Sequence, residues 1–128
     1  MARRSGKVRW LSEPEDHDYP AALSYLSLVY EPKAAKALVK GLARSRVIEF
    51  KAKDIFRASR LSLLGISNSH IEKDRRKIAA GERLSPLLLV RDRPTGTVII
   101  ADGYHRLCAV YSLDEDAVIP CKIVSSQG

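Results

Sequence analysis

Apolar residues recur at helical spacing in the first third of the chain and at strand spacing in much of the rest. In "AALSYLSLVY", Ala22, Leu23, Leu26, Val29 and Tyr30 fall on one stripe of a helix. Pro20 can open that helix as its first residue, with Asp18 or Tyr19 before it. Glu31-Pro32 breaks it. "KAAKALVKGLAR" resumes the helical spacing through Ala35, Leu38, Val39 and Leu42, with lysines on the other face. Residues 18–45 therefore read as a helical hairpin. The period then changes. "RVIEFKAKDI" at 46–55 sets Ile48, Phe50 and Ala52 against Glu49, Lys51 and Lys53, the alternation of a half-buried strand with Lys51 and Lys53 pointing outward.

Residues 57–68 read as irregular, with Gly65 and a Ser/Asn cluster as turn signals. Ser67, Asn68 or Ser69 can cap a helix that starts near His70, carries Ile71 and Ile78 two turns apart and ends at Gly81. Pro86 opens the strand "LLLVR", "DRPTG" turns it, and "TVIIAD" returns antiparallel. "HRLCAVYSL" is apolar almost all round and predicts a buried helix. "AVIPCKIV" is a last strand, in which Pro120 fits an edge or a bulge. Residues 1–18 read as a tail anchored by Trp10 and Leu11, and "SSQG" as a short polar tail. The order helix, helix, strand, helix, strand, strand, helix, strand predicts an α+β fold.

Length and composition narrow the class. The chain has 128 residues, 45% of them hydrophobic, enough for one compact unit with one core. No apolar run approaches the roughly 20 residues that span a bilayer, so no membrane partner is expected. "MARRSGKVRW" is basic, but no long apolar stretch follows it, so it is not read as a secretion signal and a cytoplasmic location is expected. Cys108 and Cys121 fit no zinc spacing and read as small core residues. The net charge is +7, and residues 33–60 concentrate it: Lys33, Lys36, Lys40, Arg44, Arg46, Lys51, Lys53, Arg57 and Arg60 against Glu49 and Asp54. Such a stretch suits nucleotides, nucleic acid or phosphorylated metabolites, or simply a solvated face. The stretches "SEPEDHD" at 12–18 and "DED" at 114–116 are acidic.

The chemistry concentrates in "IADGYHR" at 100–106, where a strand runs through a glycine into a helix. A helix N-terminus has unpaired N–H groups and a partial positive charge, and it suits a phosphate. Gly103 lets backbone approach an anion, and Arg106 supplies a fixed charge in fork geometry. His105 can donate to a phosphate or move a proton. Asp102 can cap the helix, hold Mg²⁺ or orient a substrate hydroxyl. The plainer alternatives are ordinary Asp-Gly turn chemistry, and an Arg106 paired with "DED" on the surface.

These residues, with "LSPLLLVRDRPTGTVIIADGYHRLCAVYSLDEDAVIPCKIV" around them, resemble the ParB/sulfiredoxin superfamily. The likeness covers about residues 46–124: "FKAKDI" as first strand, "HIEKDRRKIAAGERLSP" as the helix leading into Gly and Pro, then the hairpin, the turn, the helix and a final strand with Pro. It implies a small mixed sheet with helices over 46–128, preceded by a tail and helical hairpin over 1–45 that has no clear counterpart. It also implies that the turn binds nucleotide phosphates, with Gly103, His105 and Arg106 in contact. The nucleotide would be CTP, ATP or ADP with Mg²⁺. Sulfiredoxins need a cysteine where this chain has Tyr104, which argues against that activity. ParB proteins bind CTP and carry a helix-turn-helix after this domain, whereas this sequence ends at Gly128. The free serine kinases have a D-G-H-H-R turn, to which D-G-Y-H-R is nearest. They also need an acidic base after the first strand, for which Asp54 is the nearest candidate and Glu49 the next. Lys51 and Lys53 could reach a phosphate from one end of the sheet. Asn68 and His70 lie where the family often adds nucleotide contacts, and Asn68 is equally placed to cap. Tyr104 could stack on a base or cover the turn.

Three functions fit. The first is nucleotide binding, with phosphoryl transfer or nucleotide hydrolysis through Asp102, His105 and Asp54. In that reading Asp102 is the metal ligand, and Gly103, Tyr104, His105, Arg106, Lys53, Asn68 and His70 hold the cofactor. The second is nucleic-acid binding through the basic 33–60 surface. The third is a non-catalytic interaction domain or homodimer built on the acidic 12–18 stretch and the hairpin.

Overall fold

The run "PLLLV" at 86–90 organises the molecule, because Leu87, Leu88, Leu89 and Val90 are all buried and a strand apolar on both faces must be covered on both. The computed structural model describes residues 7–62 and 68–127. In chain order its elements are β1 (Arg9–Trp10), α1 (Asp18–Val29), α2 (Pro32–Arg44), β2 (Ile48–Lys51), α3 (Ala52–Ser59), α4 (Ser69–Ala79), β3 (Arg83–Leu84), β4 (Leu87–Asp92), β5 (Thr97–Asp102), α5 (Tyr104–Leu113) and β6 (Val118–Ser125). The fold is α+β. A four-stranded mixed sheet has the order β2-β6-β4-β5, with β4 and β6 parallel and the outer pairs antiparallel. β1 and β3 form a small parallel pair beside it.

Each face of β4 feeds a different core. Leu88 and Val90 pack with Ala22 and Leu26 of α1 and Ala35 and Leu42 of α2, so the helical hairpin covers one face. Leu87 and Leu89 pack with Ile55 and Phe56 of α3, Ile71 and Ile78 of α4 and Leu107 to Val110 of α5 on the other. The α5 segment is buried as its apolar composition predicts, and α4 stops at Ala79, with Gly81 just past the C-cap at a φ of 78° that suits the residue after a helix.

Several expectations are corrected. The strand predicted over 46–55 stops at Lys51, and the region read as irregular begins with a helix. Ala52, Ile55, Phe56 and Ser59 are buried at helical spacing in α3, a period that overlaps the alternation before it. The backbone N–H groups of Ala52 and Lys53 donate to the carbonyls of Ala117 and Glu115, which fixes the change of direction. Residues 63–67, including Gly65 and Ser67, lie outside the described residues. Pro120 stands in a central strand rather than an edge one. Pairing with β4 begins only at Cys121, so Pro120 lies just outside that ladder and faces Glu49 of β2 alone. Helix α1 starts at Asp18, which places Pro20 third rather than first, still within the turn that needs no N–H. Ser125 and Ser126 are not a tail. Ser125 ends β6, and the buried Ser126 receives the Arg93 N–H at 3.0 Å.

One irregularity matters for function. β4 and β5 pair Leu89 with Ile100 but Leu88 with Asp102, which leaves Ala101 as an extra residue in β5. Directly paired residues share a face. Asp102 is thereby turned to the Leu88 face, the side of the hairpin, instead of the side that plain alternation would give it. Such a bulge re-aims a side chain.

Candidate functional site

The turn after β5 is shaped by Gly103, with φ 109°. A Cβ there would meet Leu87 Cγ at 2.8 Å and the Arg106 guanidinium at 2.9 Å, so crowding and backbone conformation both require glycine. Gly103 is the N-cap of α5 and has no side chain to pair with the first-turn N–H groups. Asp102 does not cap the helix. Its carboxylate accepts instead from Arg106 at 3.1 Å, and Arg106 also reaches the Pro86 carbonyl at 3.4 Å. The Arg106 Nε is buried without a hydrogen-bond partner. The guanidinium is thus held by Asp102 rather than by the surface acids at 114–116. Asp116 pairs with Lys53 at 2.7 Å, near the far end of α5.

Three segments converge on this turn around a cleft of about 250 Å³. From α4 come His70, Lys73, Asp74 and Lys77, from the segment before α1 come Glu15 and His17, and from β3 comes Arg83. All three histidines of the chain therefore line one cleft. The His70 and His105 rings lie 4.8 Å apart, tilted by 38°. The Tyr104 hydroxyl donates to the Ser62 carbonyl, so Tyr104 ties the end of the α3 region to the cleft.

Electrostatics divide the cleft. Burial holds His105 below the usual imidazole value, helped by His70 and opposed by Asp74, so the ring is neutral at pH 7. Burial raises Asp74 against the pull of Arg106 and Lys77. Burial also raises Asp102, although Arg106 opposes it, and the neighbouring carboxyl of Asp18 adds to the rise. Asp18 is almost fully buried. Its Oδ2 accepts the Glu15 N–H at 2.9 Å and the Ser85 hydroxyl.

Of the residues singled out in the sequence, Asp102, Gly103, Tyr104, His105, Arg106 and His70 line the cleft together. Three lie elsewhere. Asn68 caps α4, accepting the His70 and Ile71 N–H groups. Lys53 is on α3, bound to Asp116, because the strand that would have carried it ends two residues earlier. Asp54 lines a separate apolar cavity of about 170 Å³ with Phe50, Ile55 and Ala58 on the α3 side of the sheet. Both thiols are buried, and burial pushes Cys121 up to about 12. Sequence reasoning missed Glu15, His17, Asp18, Lys73, Asp74, Lys77, Arg83 and Ser85. The signal available was that Glu15, His17 and Asp18 sit in the acidic stretch 12–18, which read as tail. No helix among the described residues is long and apolar enough to cross a membrane. No protein-family model matches the chain, and no match is found among curated proteins or solved structures.

Proposed function

We propose that the chain binds a phosphorylated small molecule, first of all a nucleoside di- or triphosphate, in the cleft over the N-terminus of α5. One observation carries this reading: the uncapped helix end, Arg106, His105 and the α4 cations Lys73 and Lys77 share one cleft. The resemblance of the D-G-Y-H-R turn to the phosphate-binding turn of the ParB/sulfiredoxin superfamily supports it. Phosphate oxygens would accept from the first-turn N–H groups, with Arg106 supplying fixed charge. A neutral His105 would donate one hydrogen bond, and the lysines would neutralise further charge at the open side. A magnesium ion accompanying the nucleotide would find oxygen donors in Asp102 and the carboxylates beside it, and it would neutralise phosphate charge there. Should phosphoryl transfer or hydrolysis follow binding, Asp102 would either hold that magnesium ion or, left free of it, take a proton, a role its burial-raised value would suit.

The basic stretch 33–60 lends less to a nucleic-acid reading. Its α2 lysines lie on the hairpin layer, whereas Lys53, Arg57 and Arg60 lie on or just after α3 in the opposite layer, so the run does not form one surface. The test is calorimetric titration with CTP, ATP, ADP and GTP, with and without Mg²⁺, beside Arg106→Lys and Lys73→Ala. Micromolar binding of one nucleotide, weakened at least tenfold in folded Lys73→Ala and Arg106→Lys, is the expected result. No binding by any of them, or binding that neither variant weakens, would overturn the proposal.

A further inference from the structure

We propose that Glu15, His17 and Asp18 form a binding site for a divalent first-row transition-metal ion, Zn²⁺ or Mn²⁺, on the hairpin side of the cleft beside Asp102. The site stands on its own side chains, whether or not the cleft takes a phosphate.

One ligand atom each from Glu15, His17 and Asp18 lie within 4.8 Å of one another. His17 Nε2 is 3.4 Å from Asp18 Oδ1 and 3.8 Å from Glu15 Oε1. Both separations are longer than a good hydrogen bond. The shorter one matches the roughly 3.0 to 3.4 Å that separates neighbouring ligands when each is about 2.1 Å from one ion, and the longer exceeds it. The imidazole thus faces the buried carboxylate at the spacing of shared coordination, with the exposed Glu15 free to close the remaining gap.

Asp18 is prepared as a ligand. Its side chain is 3% exposed, and its Oδ2 is occupied by the Glu15 N–H and the Ser85 hydroxyl. Those two bonds orient the carboxylate and leave Oδ1 turned toward His17, the division of labour that outer hydrogen bonds provide at metal centres. The bulge at Ala101 supplies a second and independent observation. It turns Asp102 onto the hairpin face, against the buried Asp18 carboxyl, and Arg106 pairs with Asp102 alone, so among the described residues Asp18 has no fixed cation of its own. Placing two carboxyl groups together out of water is costly unless a proton or a cation lies between them.

The donor set selects the ion. One imidazole nitrogen with carboxylate oxygens favours Zn²⁺ or Mn²⁺, whereas Mg²⁺ and Ca²⁺ prefer oxygen alone. His17 and Glu15 are 75% and 52% exposed, so the outer positions of the ion would stay open to water or to a ligand in the cleft.

The experiment titrates the full chain with Zn²⁺, Mn²⁺ and Mg²⁺ in the absence of nucleotide, by calorimetry and, for Mn²⁺, by electron paramagnetic resonance. One Zn²⁺ or Mn²⁺ per chain is expected, bound at least tenfold more tightly than Mg²⁺. His17→Ala should weaken it at least tenfold. This residue is too exposed for the change to unfold the chain, and circular dichroism checks the fold. Asp18→Asn should weaken it as well, while His70→Ala should leave it unchanged. Absence of binding, or binding lost in His70→Ala but kept in His17→Ala, would overturn the proposal. Nucleotide titration without metal reads the phosphate site separately, so either proposal can fail alone.

Discussion

The two ends of α5 each hold a carboxylate paired with a cation, and the two pairs behave in opposite ways. At the C-terminal end Asp116 and Lys53 lie 2.7 Å apart with half-exposed side chains. The hydrogen bond from Lys53 holds Asp116 below the usual carboxylate range. At the N-terminal end, roughly 15 Å away along the helix, Asp102 and Arg106 lie 3.1 Å apart and both are 18% exposed. Here burial outweighs the attraction, and Asp102 is raised despite Arg106, with Asp18 contributing. The shorter pair is the ordinary one. Contact distance does not separate a surface ion pair from a chemically poised carboxyl; the water removed from it and the second carboxyl beside it do.

Removing the cation from each pair breaks the comparison most directly. Arg106→Ala leaves the buried Asp102 carboxyl without its cation and opens space against Gly103 and Pro86. A loss of roughly 3 kcal/mol in urea unfolding is expected, the scale for breaking a buried pair. Lys53→Ala should lower the urea midpoint only slightly, because water replaces the ammonium. Equal losses at the two ends would show that burial does not distinguish them.

A smaller effect, with opposite signs at the two ends, comes from the carboxyls themselves. Asp102 has a raised value in the folded chain, so the fold takes up its proton more readily than the unfolded chain does. Its contribution favours folding below the unfolded carboxylate value and is lost as pH rises through the folded one. Asp102→Asn mimics the protonated form and should raise the melting temperature at pH 7, with the gain gone by about pH 3. Asp116 has a depressed value, so its contribution is present above the unfolded carboxylate value and is lost as pH falls through the folded one. Asp116→Asn should therefore lower the melting temperature at pH 7, with the loss gone on acidification. Thermal melts of both variants at pH 7 and about pH 3 check the signs. The same sign at both ends would mean that Arg106 outweighs burial at Asp102.

The legibility of the chain follows the same division. The turn from Asp102 to Arg106 could be read because its groups are contiguous, and a glycine between a strand and an apolar helix has one local meaning. The other wall could not. Glu15 and His17 reach the cleft through the two-residue pairing of β1 with β3, too short to leave a period in the sequence. Asp18 meets Asp102 only because of the bulge at Ala101, and alternation would have sent Asp102 to the other face. Lys53 is drawn toward the site by an alternation that continues into α3 for one turn, since Ala52 is a core residue in either conformation, whereas Asp54 enters only through the family resemblance. The hydrogen bonds to Ala117 and Glu115 that settle the matter come from residues more than 60 positions away. The helices, the β4–β5 hairpin and the buried α5 were legible because burial there is decided within each segment.

The smallest effect lies in the imidazole pair, and it separates the two causes that act at the N-terminal end. His105 has a folded value below the usual one, about 6.5. Its contribution is therefore present above that value and is lost as pH falls through the folded one. Burial is the larger cause and His70 the smaller, with Asp74 opposing. Nuclear magnetic resonance titration of the His105 ring should then show only a partial return toward 6.5 in His70→Ala, and a further fall in Asp74→Asn. A complete return in His70→Ala would make the second imidazole the main cause and remove burial from the account of this end of α5. Adding the bound nucleotide should raise the His105 value, because an anion at the helix N-terminus favours the imidazolium, whereas Zn²⁺ held at His17 should leave it where it was or lower it. An anion that left the ring unmoved would have to sit away from His105. The sign of that one shift places the ligand relative to the turn.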